Sequence, residues 1–338
     1  QDLVHYGHRI ERPADLPVSI ISANDLIVVT GGLPNPKSDI TEDSATVRLP
    51  RLPGERLENA LLAVNGLQQF RRSDARSANP TSQGVTLRGL GGNASSRALL
   101  FLDDVPQADP FGGWVSWPGY DALNLASIRV RKGGGQPSAG PGALAGVIEL
   151  DSIQYREAAN LALAYGSRDS IDGKANYAGK LGGGSITAAA SYARGDGFIP
   201  IIASQRGSVD RQAPYEQAGV SLRGVAPLNA STELQANLRA FTDKRDRGVD
   251  FSDNSNSGVD ASLRLVDRTG DWQWSGTAYI QLREFSSEFG AVAANRNSVT
   301  QTLDQFATPS TGLGARLEVR PPVGEQVELR LGGEGRRT

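Results

Sequence analysis

Gly84-Val-Thr-Leu-Arg-Gly-Leu-Gly91, Arg97-Ala-Leu-Leu-Phe-Leu-Asp-Asp-Val-Pro106, Leu125-Ala-Ser-Ile-Arg-Val-Arg-Lys-Gly133 and Gly142-Ala-Leu-Ala-Gly-Val-Ile-Glu-Leu150 decide how this chain folds. Each is a short run of apolar and β-branched residues, which suits an extended, half-buried strand. Glycines bound the runs, and glycine takes the backbone angles that corners need. Strands this short, closely spaced and corner-rich predict a small mixed sheet over residues 41–152.

Composition narrows the rest. The 338 residues are enough for more than one domain. A net charge of -2 gives no electrostatic case for a nucleic-acid partner. With no cysteine, disulfides and thiolate metal sites are excluded, and no cofactor is expected. The two histidines are His5 and His8, so a histidine centre deeper in the chain is impossible. No run of about 18 apolar residues predicts a membrane-spanning helix. A barrel strand shows lipid only every second side chain and escapes that test. The absence of a basic and apolar leader before Gln1 reads as a mature form after signal-peptide removal.

Ahead of the small sheet, residues 1–40 read as a flexible arm, interrupted by prolines 13, 17, 34 and 36. Within it Asp25-Leu-Ile-Val-Val-Thr30 can go extended and add a strand to a partner's sheet edge. Asp2-Leu-Val4 followed by Arg12-Pro-Ala-Asp-Leu-Pro-Val18 is a weaker echo of the same pattern. Residues 55–70 read as an amphipathic helix, with Leu57, Leu61, Leu62 and Val64 at helical spacing and Gly66 as its C-cap. Arg71-Arg-Ser-Asp-Ala-Arg-Ser-Ala-Asn-Pro-Thr-Ser82 is polar and irregular, a loop. Pro110-Phe-Gly-Gly-Trp-Val-Ser-Trp-Pro-Gly-Tyr120 sets four aromatics among glycines and prolines, for burial or as a stacking platform. Lys132-Gly-Gly-Gly-Gln-Pro-Ser-Ala-Gly-Pro-Gly142 lacks the Gly-Lys-Ser/Thr ending of a phosphate loop.

From residue 158 the period becomes two. Leu234, Ala236, Leu238 and Ala240 alternate with Glu233, Gln235, Asn237 and Arg239, and Leu313, Ala315, Leu317 and Val319 with Gly314, Arg316, Glu318 and Arg320. About nine strands are expected, near 158–167, 171–181, 185–194, 215–225, 231–243, 257–267, 271–285, 311–320 and 325–332. Their connections alternate short and long, with 195–214, 244–256 and 286–310 long and polar. Asp250-Phe-Ser-Asp-Asn-Ser-Asn256 is rich in oxygen ligands but lacks EF-hand spacing and the closing Glu, so it reads as a polar outer loop.

The ordered set of glycine-cornered strands resembles the plug domain of the TonB-dependent outer-membrane transporters, and residues 153–338 resemble the N-terminal part of their antiparallel transmembrane barrel. The resemblance implies a small α+β plug filling a barrel lumen, with about nine of roughly 22 strands present. On that count the sequence reads as part of a longer or incompletely represented barrel. It further implies an importer and not an enzyme, set in outer-membrane lipid of a Gram-negative cell. Its partners would be TonB, with its proton-driven inner-membrane motor, and a small-molecule substrate. Asp25, Leu26, Ile27, Val28, Val29 and Thr30 would be the TonB box. Substrate would meet the plug apex through Arg71, Arg72, Arg76, Phe111, Trp114, Trp117 and Tyr120. Arg88, Arg129 and Arg131 would pair plug to barrel wall. The Asp-Gly usual at one turn of this family is Asp103-Asp104 here. A ferric siderophore is the default cargo. An oligosaccharide, an aromatic acid or a cobalamin-like substrate is the alternative, and haem is disfavoured for want of histidine ligands. A signalling receptor would need a further N-terminal domain, for which the arm is too short.

Overall fold

The computed structural model describes residues 43–46, 49, 54–69, 71, 75–76, 78–87, 98–133, 142–153, 157–324 and 327–338. The box-like segment 25–30 and its echo therefore lie outside the described residues, as do Arg72 and Arg88.

The first sheet orders its strands β1-β6-β7-β4-β5. These are β1 (Asp43–Thr46), β4 (Ala98–Leu102), β5 (Val105–Pro106), β6 (Leu125–Lys132) and β7 (Gly146–Ser152). β4 runs parallel to β7 and the other pairs are antiparallel. A short pair, β2 (Leu67–Gln69) with β3 (Val85–Leu87), lies beside it. Ile128, Val130, Ile148 and Leu150 of the sheet pack with Leu61, Leu87 and Leu100 into one core. The expected helix over 55–70 is cut short: α1 spans Leu57–Ala60 and tightens into a 3₁₀ turn at Leu61–Ala63. Val64 turns extended and Gly66 takes φ 80°, so the chain leaves the helix into β2, and Leu62 is exposed.

The second sheet has nine antiparallel strands in sequence order, from β8 to β16. They are β8 (Ala158–Gly166), β9 (Ser170–Leu181), β10 (Gly184–Gly195), β11 (Tyr215–Pro227), β12 (Thr232–Arg245), β13 (Asn254–Asp267), β14 (Gln273–Val292), β15 (Val299–Arg320) and β16 (Leu331–Arg337). Two expectations are corrected. The supposed loop 286–310 is mostly strand, because β14 and β15 continue past the membrane-facing rows through bulges at Phe285/Ser287 and Phe289/Gly290. Those residues are too polar to look like barrel strand in the sequence. The last strand sits at 331–337 instead of 325–332, because the register that pairs Leu331 with Val319 leaves 321–324 and 327–330 outside the sheet.

The faces of this sheet are inverted relative to a soluble protein. On one face Gln217, Gln235, Arg239, Asp243, Asn256, Gln281 and Arg283 are buried. On the other Leu161, Leu163, Val220, Leu222, Leu263 and Leu317 are exposed. Cross-strand register stacks the exposed face into apolar rows, from Ala190-Val220-Ala240-Val259-Leu282 down to Leu234-Leu265-Gly276-Leu317. Rows on one face recur every ~6.8 Å along a strand, so the four rows from Ala240 to Leu234 span about 20 Å of strand and fit within the ~25 Å apolar band of barrel proteins. No helix among the described residues is long and apolar enough to cross a membrane. The buried polar face wraps the first sheet, which places a plug against the inside of a barrel wall.

Candidate functional site

The plug and the wall meet along a ladder of polar contacts. At its lower end is the β4–β5 tip, Asp103-Asp104. Both residues take the left-handed backbone, φ 49° and 68°, as a two-residue turn matching strand twist requires. Asp tolerates this less well than Gly, and here both side chains are in use. Asp103 accepts from the Ser152 amide at 3.0 Å, from Ser152 Oγ at 2.6 Å and from Arg223 Nη1 at 3.3 Å. Asp104 pairs with Arg264 Nη2 at 2.6 Å. Arg223 and Arg264 stand on β11 and β13, so the tip is pinned to two strands of the wall.

Above it lies a buried network of two arginines and two aspartates. Arg239 of β12 stacks on the Tyr120 ring, 4.2 Å from its centroid, and donates to Gln107 Oε1 at 2.6 Å. Arg239 also pairs with Asp260 of β13. Arg283 of β14 pairs with Asp260 and lies 4.0 Å from Asp109 of the plug. Burial raises the Asp109 carboxyl above its ordinary value, against the amides of Gly112 and Phe111 that donate to it and the charge of Arg283. The charges balance, which a water-poor interface needs.

At the upper end Arg76 donates to Tyr215 Oη at 2.9 Å and pairs with Asp172 of β9. Arg245 of β12 donates to the carbonyls of Ala75 and Ala78. Asn79 donates to Ser287 at 3.3 Å, and Asn256 to Ser116 at 2.9 Å. Of the two described apex arginines, Arg76 thus ties the apex to the wall. Arg71 turns inward to Asn59 at 2.6 Å and Glu58 at 3.7 Å.

The aromatics of 110–120 divide. Trp114, Trp117 and Tyr120 are buried, and Phe111 is 55 % exposed. Trp114 packs against Phe285 of the wall at 5.0 Å and edge-on to Phe111 at 6.1 Å. Trp117 donates to the Gln83 carbonyl at 3.2 Å. Burial against wall and core thus accounts for three of the four, and Phe111 is left facing outward. The expected plug-to-wall role of Arg129 and Arg131 is corrected: Arg129 pairs with Asp151 at 3.1 Å, and Arg131 with Glu149 at 3.3 Å. All four residues stand on β6 and β7, which are paired neighbours, so the contacts stay inside the plug sheet. The acids and arginines at lumen-facing positions of the wall were not singled out from the sequence. Their signal was available: Arg239, Arg245, Asp260, Arg264 and Arg283 repeat at positions whose period-two neighbours face lipid.

The connections on the side opposite Gly182-Gly183 hold one another. Arg211 pairs with Asp246 at 2.7 Å and with Asp250, and Arg296 pairs with Asp210. The Ser208 amide donates to Asn297 Oδ1 at 3.2 Å. Loops 196–214, 246–253 and 293–298 therefore form one assembly.

Residues 40–147 match the family described as TonB-dependent Receptor Plug Domain. No curated protein matches the chain. Among solved structures it is similar to a mutant of the ferric enterobactin receptor PfeA from Pseudomonas aeruginosa, with 13 % identity, TM-score 0.65, 89 % of this chain and 49 % of that one covered. It is similar to the copper transporter OprC, with 15 % identity, TM-score 0.66 and coverage of 87 % and 46 %. It is also similar to the ferric yersiniabactin uptake receptor FyuA from Yersinia pestis, with 18 % identity, TM-score 0.60 and coverage of 87 % and 48 %. At these identities the likeness is one of fold, and the chain spans about half the length of the structures it matches.

Proposed function

We propose that this chain, which carries a TonB-dependent receptor plug domain over residues 40–147 and after it a sheet that shares the fold of such receptors' barrels, serves active import of a scarce nutrient across the outer membrane of a Gram-negative cell. The observation that carries this reading is the charged lumen face, which is occupied by plug: Arg223, Arg239, Arg245, Arg264 and Arg283 all reach plug residues or their partners. A passive pore would leave such a face to water.

In this reading substrate binds among the plug apex and the outer loops, where Phe111 of the plug and Phe198 and Phe251 of the loops are exposed aromatics. The arm carrying Asp25 to Thr30 pairs with TonB as an added strand. Force through that strand, supplied by the proton-driven motor, remodels the plug. An iron chelate of the siderophore class is the favoured cargo, supported by the fold shared with PfeA, a ferric enterobactin receptor, and FyuA, a ferric yersiniabactin uptake receptor. The wall strands described form an open sheet, and the remainder of the barrel would complete it, since unpaired edges are not tolerated in lipid.

The test is uptake of radiolabelled ferric siderophores by cells carrying the full-length protein or its Val28→Pro variant. Proline removes a ladder donor from an added strand. Binding at the cell surface should persist while internalisation is lost. Full internalisation by the variant removes the box from Asp25–Thr30.

A further inference from the structure

The buried network around Asp260 holds one cation more than the wall itself neutralises. Arg239 and Arg283 both pair with Asp260, and the second negative charge, Asp109, belongs to the plug. The side chains of Arg283 and Asp109 are 2 % and 1 % exposed. Their fit is nevertheless loose. Asp109 Oδ1 accepts from the amides of Phe111 at 2.9 Å and Gly112 at 3.1 Å. Asp109 Oδ2 is buried with no hydrogen-bond partner, and so is Arg283 Nε, 4.0 Å away. The buried hydroxyl of Ser310, directly opposite Arg283 on β15, is also without one. The plug is close here, since a Cβ at Gly312 would stand 3.0 Å from Pro110 Cγ. Buried polar atoms left in this way are costly.

Asp109 rides on a loop that is closed on itself. Its amide donates to the Trp114 carbonyl at 2.8 Å, the Gly113 amide returns to the Asp109 carbonyl at 2.8 Å, and Ala108 bridges Val115. Neighbouring contacts with the wall use uncharged plug groups: the Trp114 ring on Phe285, Ser116 under Asn256, and the Pro106 carbonyl, which accepts from Gln281 at 3.0 Å. Phe111 is exposed on the same loop and bonded to Asp109. A ligand that displaces Phe111 therefore carries Asp109 with it. Two buried guanidiniums would then share one carboxylate, and an uncompensated buried charge is strongly unfavourable.

We propose that Arg283, with Arg239 and Ser310, forms an anion-binding station in the lumen, and that Asp109 is its resident occupant, exchanged during import for an anionic oxygen of the cargo. The station rests on the import reading above and assigns the cargo an anionic group such as a carboxylate or catecholate. Exchange keeps the buried charge balanced while the loop is away from the wall. Once the cargo has passed, the uncompensated cations draw Asp109 back and close the loop again.

Two measurements on the full-length protein test this. In detergent, Asp109→Ala leaves a carboxylate-sized gap beside Arg283. Its thermal unfolding should shift upward with formate and not with formamide, the uncharged isostere, and addition of Arg283→Gln should abolish the shift. Cells carrying the wild type, Arg283→Gln or Arg283→Lys are then given a radiolabelled ferric tricatecholate, which is anionic, or a ferric trihydroxamate, which is uncharged. Arg283→Gln should bind both at the surface as the wild type does. Its internalisation of the tricatecholate should fall about tenfold, as loss of one charge-assisted contact does, while the trihydroxamate is unaffected. Arg283→Lys keeps the charge and should restore uptake, which it would not do if the side chain only packed. Equal responses to formate and formamide overturn the station. Wild-type uptake of the tricatecholate by Arg283→Gln, or equal loss of both chelates, overturns the exchange with cargo. Failure of the wild type to internalise either chelate overturns the siderophore reading instead, and the formate response then decides the station by itself.

Discussion

Arg223 Nη1 on β11 lies 3.3 Å from Asp103 Oδ2 at the tip of the β4–β5 hairpin. The arginine is on the wall and the aspartate is on the plug, 120 residues apart in sequence. The contact joins a turn that glycine would make more easily to a strand position that lipid could not accommodate. Each residue is thus explained by the other.

Asp103→Ala should loosen the plug. The change removes the carboxylate partner of Arg223, leaving its Nη1 the neutral Asn237 Oδ1 at 3.1 Å, and removes both Ser152 bonds; a largely buried charge without its counter-ion is costly. The expected destabilisation is about 1–3 kcal/mol, read as earlier release of the plug in limited proteolysis. Asp103→Asn keeps the Ser152 bonds and should fall between. Proteolysis identical to wild type in both variants would refute the anchoring role.

Trp114→Ala and Phe111→Ala should separate structure from binding. Trp114 is 2 % exposed against Phe285, so truncation should cost about 3–5 kcal/mol. Phe111 is exposed, so its truncation should leave thermal unfolding within about 0.5 kcal/mol of wild type. Affinity for the imported substrate should fall in the Phe111 variant. Calorimetric titration that finds unchanged affinity there takes Phe111 out of the binding surface.

Gly219→Val should push the plug off the wall. A Cβ at Gly219 would lie 2.5 Å from the Pro118 carbonyl oxygen. Backbone cannot swing away as a side-chain end can, and overpacking of this kind costs about 1–3 kcal/mol. Gly224, on the same strand, has nothing within 4 Å of its Cβ position, so Gly224→Val is the control. Equal melting temperatures for the two variants would show that β11 does not seat the plug.

The outer loops should stay joined in acid. Hydrogen bonding from the Arg296 guanidinium holds the Asp210 carboxyl down to about 2, below its ordinary 3.8. A lowered carboxylate contributes stability that is complete above the ordinary value and is lost as pH falls through the folded value. The tie should therefore persist at pH 3 and fail near pH 2. Exchange of the Val209 amide, which donates to the Arg296 carbonyl at 3.2 Å, reports it. Arg296→Ala should raise the Asp210 carboxyl, with the Gly207 amide still holding it, and remove the protection. Exchange in wild type that rises already between pH 4 and 3 would contradict the assignment.

The sequence by itself determined most of the wall strands and which of their faces is apolar, but not the outward extensions of β14 and β15 or the place of β16. Period-two alternation is a local property: each β12 residue from Leu234 to Ala240 carries its burial in its own chemistry and its parity. The order of glycine-cornered runs likewise determined the plug sheet, because strand propensity and corner angles act within a few residues. Tertiary structure alone decided the partners. The family resemblance would make Arg129 and Arg131 plug-to-wall cations, yet Asp151 and Glu149 on the neighbouring strand pair with them. Trp114, Trp117 and Tyr120 are as suited to stacking on a ligand as to burial, and only the approach of Phe285, Arg239 and the plug core put them inside. Asp103 met Arg223 because two sheets folded against each other, and such a distant meeting leaves no local pattern to read.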